Sequence, residues 1–256
     1  MSKKTFLSVV IACFNEEKNI KRGVIEEMWQ YLRKQKYSWE VIISMDGPTD
    51  KSESLVEASI ENKSGFRMLK NEHGGKPSGL WHGLKVAKGK YTLFTDMDQS
   101  TPLSELEKLL PCLKEGYDVV IGSRGRERKN YSWYRKLGAR VFLTIRKFLM
   151  LSDLNDTQCG FKLFETDALK IFFPKLEFFR RKQTSTGWKV TSFDVELLFL
   201  LEKFGYKIKE VPINWRDRDI STSKGDYSKR YVKESKEMLM QILRVKVNDV
   251  LGKYDR

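Results

Sequence analysis

Short apolar runs alternate with helical patterns along the first half of the chain, and this alternation restricts the possible folds more than any other feature. We predict five buried strands there, at Leu7–Cys13, Glu40–Ser44, Phe66–Leu69, Tyr91–Thr95 and Asp118–Ile121. Helical periodicity fills the intervals, at residues 17–35, 50–62, 78–88 and 103–115. Strands that alternate with helices predict an α/β fold with a mostly parallel central sheet flanked by helices.

The second half of the chain has a less regular pattern. We predict a helix at about 133–151, a strand at Gly160–Phe164, a helix at 193–204, a strand at Lys207–Val211 and a terminal helix at 228–250. The polar stretch 216–230 is typical of a mobile loop. We therefore expect one α/β domain over residues 1–227, followed by a C-terminal helix, residues 228–256, as a candidate for membrane contact.

The charge of the chain indicates an anionic partner. Lysine and arginine number 48 against 34 acids, for a net charge of +14. Nucleic acid, phosphorylated substrates and an acidic membrane surface all fit such a charge.

The cysteine and histidine content limits the kinds of covalent link and metal site that the chain can form. Three isolated cysteines and two histidines support neither a disulfide framework nor a zinc site, which favours a reducing, cytoplasmic setting. The apolar run Phe6–Phe14 resembles a short signal peptide, but it leads into charged residues without a cleavage pattern, so we predict a buried strand. No other segment is long and apolar enough to cross a bilayer.

Two carboxylates follow the fourth predicted strand in the stretch TDMDQSTP. Asp96 and Asp98 stand two residues apart, so an extended backbone points both to one side. Such a pair suits Mg²⁺ or Mn²⁺, with diphosphate oxygens as the remaining ligands. The alternative is a simple helix entry, with Ser100 or Thr101 as the cap and Pro102 at the first helical position.

Polar residues also follow the first two strands. Asn15 and Glu16 come after the first strand, and Asp46 lies just past the second. Because ligands of open α/β sheets bind beyond the carboxyl ends of the strands, these residues and Asp96 are expected to line one crevice. Each has a structural alternative: the acids complement a helix dipole, or Asp46 stabilises its own turn.

Six segments together resemble a known family. They are SVVIACFNEEKNI, SMDGPTD, GKPSGLWHGLKVAKGKYTLFTDMD, YDVVIGSR, NDTQCGFKLF and FDVELLFLLEKFGYKIKEVPINW. In this order and spacing they are similar to family 2 inverting glycosyltransferases of the GT-A fold, and most similar to the dolichyl-phosphate and polyprenyl-phosphate glycosyltransferase branch. The resemblance implies a GT-A domain whose second half faces the acceptor.

On the donor side, the resemblance implies that Asn15, Glu16 and Asp46 line the nucleotide pocket. It implies that Asp96 and Asp98 hold Mg²⁺ or Mn²⁺, with Asp98 as the direct ligand. Many relatives carry two aspartates where this chain has Met45-Asp46. The way in which this chain binds the base of the nucleotide therefore stays open.

On the acceptor side, the resemblance places Arg124 and Arg135 near phosphate groups and Asp156 at the reacting centre. Gln99 departs from the small residue common in relatives, and adds a ligand or narrows the pocket. Asp98, Asp156 and Arg124 are the predicted catalytic residues.

The activity implied by the resemblance is sugar transfer to dolichyl or polyprenyl phosphate from a nucleotide diphosphate sugar, with UDP-glucose as the preferred donor. A sugar hydroxyl as acceptor is the alternative, and Asp156 would then serve as a base. A further alternative is a non-catalytic nucleotide or nucleic-acid binder that uses the basic run 123–136, although we expect no nucleic-acid partner.

A lipid acceptor requires contact with a membrane. Residues 134–151 predict an amphipathic helix with an apolar face, formed by Leu137, Val141, Ile145 and Phe148. We therefore expect a peripheral protein at the cytoplasmic face of a membrane.

Overall fold

A seven-stranded sheet forms the centre of the protein in the computed structural model, which describes residues 4–125, 154–180, 193–220 and 227–255. The strands are β1 Leu7–Cys13, β2 Trp39–Asp46, β3 Phe66–Asn71, β4 Tyr91–Phe94, β5 Val119–Ser123, β6 Lys162–Glu165 and β7 Ile208–Pro212. Their order across the sheet is β3-β2-β1-β4-β6-β5-β7. Strand β6 runs antiparallel to β4 and β5, and the other described pairings are parallel, so the predicted mostly parallel sheet is confirmed.

Helices cover both faces of this sheet. They are α1 Glu17–Lys21, α2 Val24–Leu32, α3 Ser52–Ile60, α4 Lys76–Val86, α5 Leu106–Lys114, α6 Thr166–Phe172, α7 Glu177–Arg180, α8 Phe193–Lys203 and α9 Tyr227–Val250. Alternate residues of β1 divide between two cores, as a strand requires. Val10 packs with α4, α6, α8 and α9 on one face, and Val9 and Ile11 pack with α2, α3 and α5 on the other.

The first predicted helix, 17–35, is interrupted. Gly23 adopts φ 93°, a left-handed conformation that ends α1 and precedes α2. This turn separates Arg22, which faces the candidate site, from the buried face of α2. The predicted helix 133–151 and its apolar face lie outside the described residues, and the division of the chain after residue 227 stays a prediction. None of the described helices is both long enough and apolar enough to span a bilayer.

A buried carboxylate joins three of the C-terminal helices. Glu196 of α8 is 1% exposed, and it accepts hydrogen bonds from the backbone N–H of Glu177 at 2.9 Å and the hydroxyl of Tyr254 at 2.8 Å. The amide of Gln241 on α9 lies 3.4 Å from its other oxygen. Burial raises the pKa of Glu196 to about 7. The end of the chain is therefore fastened to α8 by a group that resists ionisation.

Substitution of Glu196 by Gln is expected to stabilise the protein above neutral pH. The pKa rises from 4.5 to about 7 on folding, so the native state holds this proton more tightly, and the contribution of Glu196 to stability is lost as pH rises from about 4.5 to about 7. The free energy of unfolding of Glu196→Gln should exceed that of the parent by up to about 3 kcal/mol above neutral pH. Urea denaturation at about pH 4 and about pH 8 measures this, and the gap should shrink at the lower pH. An equal gap at both pH values would show that Glu196 does not titrate as inferred.

Candidate active site

The loops after β1 and β2 are bound to each other at one edge of the sheet. The side-chain oxygen of Asn15 accepts the backbone N–H of Thr49 at 2.8 Å, and the backbone N–H of Glu16 donates to the hydroxyl of Ser52 at 2.7 Å. Asn15 has φ 53°, a left-handed conformation that Asn tolerates better than most residues. The structure thus places Asn15 and Glu16 at the carboxyl end of β1, against the loop that follows β2.

Asp46 fixes the loop that leads into α4. Its carboxylate is 2% exposed and accepts the backbone N–H groups of Gly74 at 2.8 Å and Gly75 at 2.9 Å. Next to it, the rings of His73 and Phe14 stack with centroids 4.4 Å apart, and Phe14 is 39% exposed. Asp46 therefore shapes the wall of the crevice through backbone contacts, whether or not it also touches a nucleotide.

Asp96 lies in the crevice between a lysine and a glycine. The ammonium group of Lys76, the first residue of α4, contacts its Oδ1 at 2.5 Å. Its Oδ2 lies so close to Gly160 that a Cβ at that position would be 2.0 Å away. Desolvation would raise the pKa of Asp96, but the ammonium group of Lys76 outweighs it and holds that pKa below its ordinary value. Asp96 is therefore ionised and already partly neutralised.

Among the described residues, Asp98 forms no ion pair. Its Oδ1 accepts the backbone N–H of Ser100 at 2.8 Å, and Met97 between the two aspartates is buried. Burial raises the pKa of Asp98 above its ordinary value, and the neighbouring carboxylates of Asp96 and Asp219 add to this rise. Asp98 is thus the carboxylate of the pair whose charge is not compensated by an ion pair in the described part of the chain.

The turn after Asp98 is closed by Gln99. This residue has φ 48°, is 2% exposed, and donates from its side-chain amide to the carbonyl of Asp96 at 2.8 Å. A left-handed conformation at a non-glycine residue costs about 1–2 kcal/mol, and such strain is concentrated at functional turns. In this structure Gln99 thus braces the turn. Its predicted contact with a ligand stays a prediction.

The helix-cap alternative for this stretch is wrong. The turn that precedes α5 begins at Leu103 after Pro102, without a side-chain cap. The hydroxyl of Ser100 instead accepts the backbone N–H of Arg218 at 3.1 Å, and its carbonyl accepts that of Arg216 at 2.9 Å.

Residues 216–220 are irregular, as expected for the stretch 216–230, whereas residues 227–230 already belong to α9. Hydrogen bonds hold residues 216–220 against the crevice. Arg22 donates to the carbonyls of Asp98, at 2.6 Å, and Arg218. The buried amide of Asn19 donates to Glu16 at 2.6 Å and to Asp219 at 3.2 Å. The segment therefore joins the turn of Asp98 to the helix that follows β1, and brings Asp219 to the acidic end of the crevice.

Arg124 and Asp156 meet at the other side. The guanidinium group of Arg124 contacts both oxygens of Asp156 at 2.8 Å, and the backbone N–H of Arg124 donates to the same carboxylate at 3.0 Å. Burial would raise the pKa of Asp156, but Arg124 outweighs it and holds that pKa below its ordinary value. Glu210 of β7 in turn accepts the backbone N–H groups of Asn155 at 2.5 Å and Asp156 at 3.0 Å. Arg135, the second predicted arginine, lies outside the described residues.

The two aspartates fit a divalent cation in part. Burial raises the pKa of Glu16 to about 7, and the nearby carboxylates of Asp219 and Asp98 contribute, so this end of the crevice has unbalanced negative charge. In the described part of the chain, no three His, Cys, Asp or Glu side chains are grouped to hold a metal ion. The chain thus offers an incomplete set of oxygen ligands centred on Asp98, which diphosphate oxygens would complete.

Lys76, Gly160 and Glu210 are among the residues of this site that were missed in the sequence. Lys76 follows two glycines and precedes Pro77 at a helix start, a pattern that predicts the helix but not its contact with Asp96. A glycine at the start of a strand is a known sign of close backbone approach, so Gly160 had a usable signal. Glu210 had none beyond a charge within a predicted strand.

The family assignment rests on a comparison with known proteins. The model of the family described as glycosyl transferase family 2 matches residues 8–172, which contain Asn15, both aspartates of the DMD stretch, Arg124 and Asp156. The chain belongs to glycosyl transferase family 2.

The family 2 match extends to whole relatives. A dolichyl-phosphate beta-glucosyltransferase of Homo sapiens is 31% identical over 82% of this chain and 67% of its own length. The enzyme of the same name from Saccharomyces cerevisiae is 30% identical over 85% of this chain and 69% of its own. This family 2 chain is thus a glycosyltransferase.

Solved structures confirm the GT-A fold. Glucosyl-3-phosphoglycerate synthase from Mycobacterium tuberculosis, in complex with Mn²⁺, UDP and glucosyl-3-phosphoglycerate, has a TM-score of 0.63, with 21% identity over 94% of this chain and 80% of its own. Mannosyl-3-phosphoglycerate synthase from Rubrobacter xylanophilus has a TM-score of 0.66, with 14% identity over 97% and 75% of the two chains. At these identities the likeness concerns the fold alone.

Proposed function

We propose that this family 2 glycosyltransferase transfers glucose from UDP-glucose to dolichyl or polyprenyl phosphate, with inversion, at a membrane surface. The names of its relatives support the sugar and the lipid acceptor. The UDP and Mn²⁺ bound in a protein of the same fold support the donor and a divalent cation. Asn15, Glu16 and Asp46 would line the nucleotide side of the crevice.

The ion pair of Arg124 with Asp156 is the observation that favours a phosphate acceptor over a sugar hydroxyl. A sugar hydroxyl needs a base to remove its proton, and a base is effective when its pKa lies near the working pH. Asp156 has a lowered pKa, and both of its oxygens contact Arg124. It is therefore a poor base. A phosphate monoester needs none, because its second pKa of about 6 leaves it largely dianionic at neutral pH.

Different residues of the crevice would then stabilise the leaving group and bind the acceptor phosphate. An acceptor phosphate oxygen bonds to the anomeric carbon as the bond to the donor diphosphate breaks, and the electron pair leaves with the nucleoside diphosphate. A divalent cation held by Asp98 would supply Lewis-acid stabilisation of that leaving group. The guanidinium group of Arg124, which the two oxygens of Asp156 orient along one edge, would donate hydrogen bonds to an incoming phosphate. Arg135 is a second proposed phosphate contact.

The acceptor, and not Asp156, is expected to set the acid limb of the pH profile. The second ionisation of the acceptor should lower kcat/KM below about pH 6, whereas Asp156 stays ionised there. An alkyl phosphonate acceptor has a higher second pKa, so the limb should move to higher pH with it. Steady-state rates with matched phosphate and phosphonate acceptors across this range measure the shift.

Substitution of Asp156 by Asn separates the two acceptors further. The change should lower kcat/KM by about 10- to 100-fold through loss of arginine orientation, and leave the limb where it was. A limb that vanishes in Asp156→Asn would favour a protein base and a hydroxyl acceptor. A limb that does not move with the acceptor would instead assign the ionisation to a group of the crevice such as Glu16, whose pKa is about 7.

A further inference from the structure

The outer face of α9 carries an apolar stripe. Its members are Met240 (52% exposed), Leu243 (45%), Val247 (55%) and Val250 (76%), together with Leu251 (62%), which directly follows the helix. Their spacing of three and four residues places them on one side of the helix. The opposite side holds Gln241, Ile242, Val245 and Asn248, which are buried. This part of α9 thus carries apolar residues on the face that meets solvent as well as on the face that packs against the protein.

Basic residues border the apolar stripe. On a helical projection Arg244 lies on one side of it and Lys246 on the other. The acid of this turn, Asp249, lies away from the stripe and contacts Lys203 of α8 at 2.7 Å and Lys246 at 3.3 Å. Long basic side chains beside an apolar face can extend to lipid headgroups while their methylene groups stay on the apolar surface. The chain as a whole carries +14, so an anionic surface is the complementary one.

The dimensions of the apolar stripe argue against a second copy of the chain. From Met240 to Leu251 the helix advances about 16 Å, on a cylinder about 10 Å wide. A stable protein interface buries about 800 Å² on each partner. A strip one helix wide and three turns long falls well short of that area, whereas a bilayer surface needs only such a strip.

The apolar stripe begins at the end of the molecule that holds the crevice. Gln241 lies beside Glu196 and Asp249 beside Lys203, so α9 and α8 run in the same direction. The first turn of α8 holds Asp194, which contacts the buried ammonium group of Lys162 at 2.7 Å. Lys162 donates to the carbonyl of Cys159, the neighbour of Gly160 at Asp96. The N-terminal end of the stripe is thus connected to the crevice through the first turn of α8 and Lys162.

We propose that the apolar stripe of α9 enters the headgroup boundary of an anionic bilayer, with Arg244 and Lys246 at the phosphate level. The proposal rests on the proposed function in one respect, since a lipid-linked acceptor gives the enzyme a reason to lie on a membrane. Binding of this kind strengthens with anionic lipid and weakens with salt.

Vesicle binding of two matched variants tests the stripe. Val247→Glu and Ile171→Glu each replace an exposed apolar residue, 55% and 53% exposed, by the same acid, and Ile171 lies on α6 outside the stripe. The full chain and Ile171→Glu should sediment with phosphatidylcholine vesicles that contain phosphatidylserine, at low salt. Val247→Glu should partition about tenfold more weakly, because it loses apolar burial and adds repulsion. Val250→Glu, at the most exposed position, should repeat the result, and thermal melting verifies folding.

Equal partitioning of Val247→Glu and Ile171→Glu would overturn the proposal. So would a variant that changes the mass of the protein in solution without changing its vesicle binding, because the stripe would then join two copies. Glucosyl transfer to a short, water-soluble polyprenyl phosphate is measured in parallel. If the parent transfers to no such acceptor while vesicle binding still depends on Val247, the proposed function fails and the membrane surface stands.

Discussion

Substitution of Asp98 by Asn should reduce sugar transfer by about 10²- to 10³-fold, the effect of removing one preorganised electrostatic contact to developing charge. The Asn oxygen can still accept the backbone N–H of Ser100, now at 2.8 Å from Oδ1, so the turn is kept and only the charge is lost. Mn²⁺ affinity, measured by electron paramagnetic resonance with UDP present, should fall with the activity.

Asp118→Asn is the matched control. Asp118 also accepts one backbone N–H through its carboxylate, from Lys207 at 2.8 Å, but it lies at the start of β5, away from the crevice. The control should keep both transfer and Mn²⁺ affinity. Full Mn²⁺-dependent activity in a folded Asp98→Asn protein would remove the cation site from this position.

Substitution of Gly160 by Ala is expected to lower kcat/KM by about 100-fold, although alanine is the smallest possible change. A Cβ at position 160 would lie 2.0 Å from Oδ2 and 2.7 Å from Cγ of Asp96, so the carboxylate must move. A displacement of about 1 Å at a reacting centre lowers the rate by about this factor. Steady-state kinetics with varied donor would show the loss.

An Asp96→Ala background tests whether the effect of Gly160→Ala passes through Asp96. The alanine methyl at position 160 then meets no carboxylate, so Gly160→Ala should lower the melting temperature in the parent and leave it nearly unchanged in the Asp96→Ala protein. Equal destabilisation in both backgrounds would assign the effect to the backbone at position 160 instead.

Much of the sheet is readable from the sequence because burial leaves a strong local pattern. The first strand has the predicted bounds, Leu7–Cys13, since its continuous apolar run is buried on both faces. Helix 17–35 was predicted too long because its apolar periodicity continues through Gly23, and only the backbone shows the left-handed turn. Short helices such as α6 Thr166–Phe172 were missed, because they are too short for periodicity to distinguish them from loops.

The candidate site is predictable in its positions and not in its contacts. Asp96 and Asp98 were placed from the end of a strand, although β4 ends at Phe94 and the pair stands in the loop beyond it. The pairing of Arg124 with Asp156 spans 32 residues, and that of Asn19 with Asp219 spans 200. Such contacts depend on how the helices and strands pack against one another, and neither the periodicity nor the spacing of residues in the sequence predicts that packing.

The anchoring of Asp156 by Glu210 also sets the order in which the enzyme becomes competent during synthesis. The family match ends at residue 172, but the loop of Asp156 is held by β7, and the turn of Asp98 by residues 216–218. A chain still emerging from the ribosome therefore exposes its paired aspartates well before the strand that completes the crevice has left the exit tunnel. The last quarter of the polypeptide converts a nearly finished sheet into a catalyst.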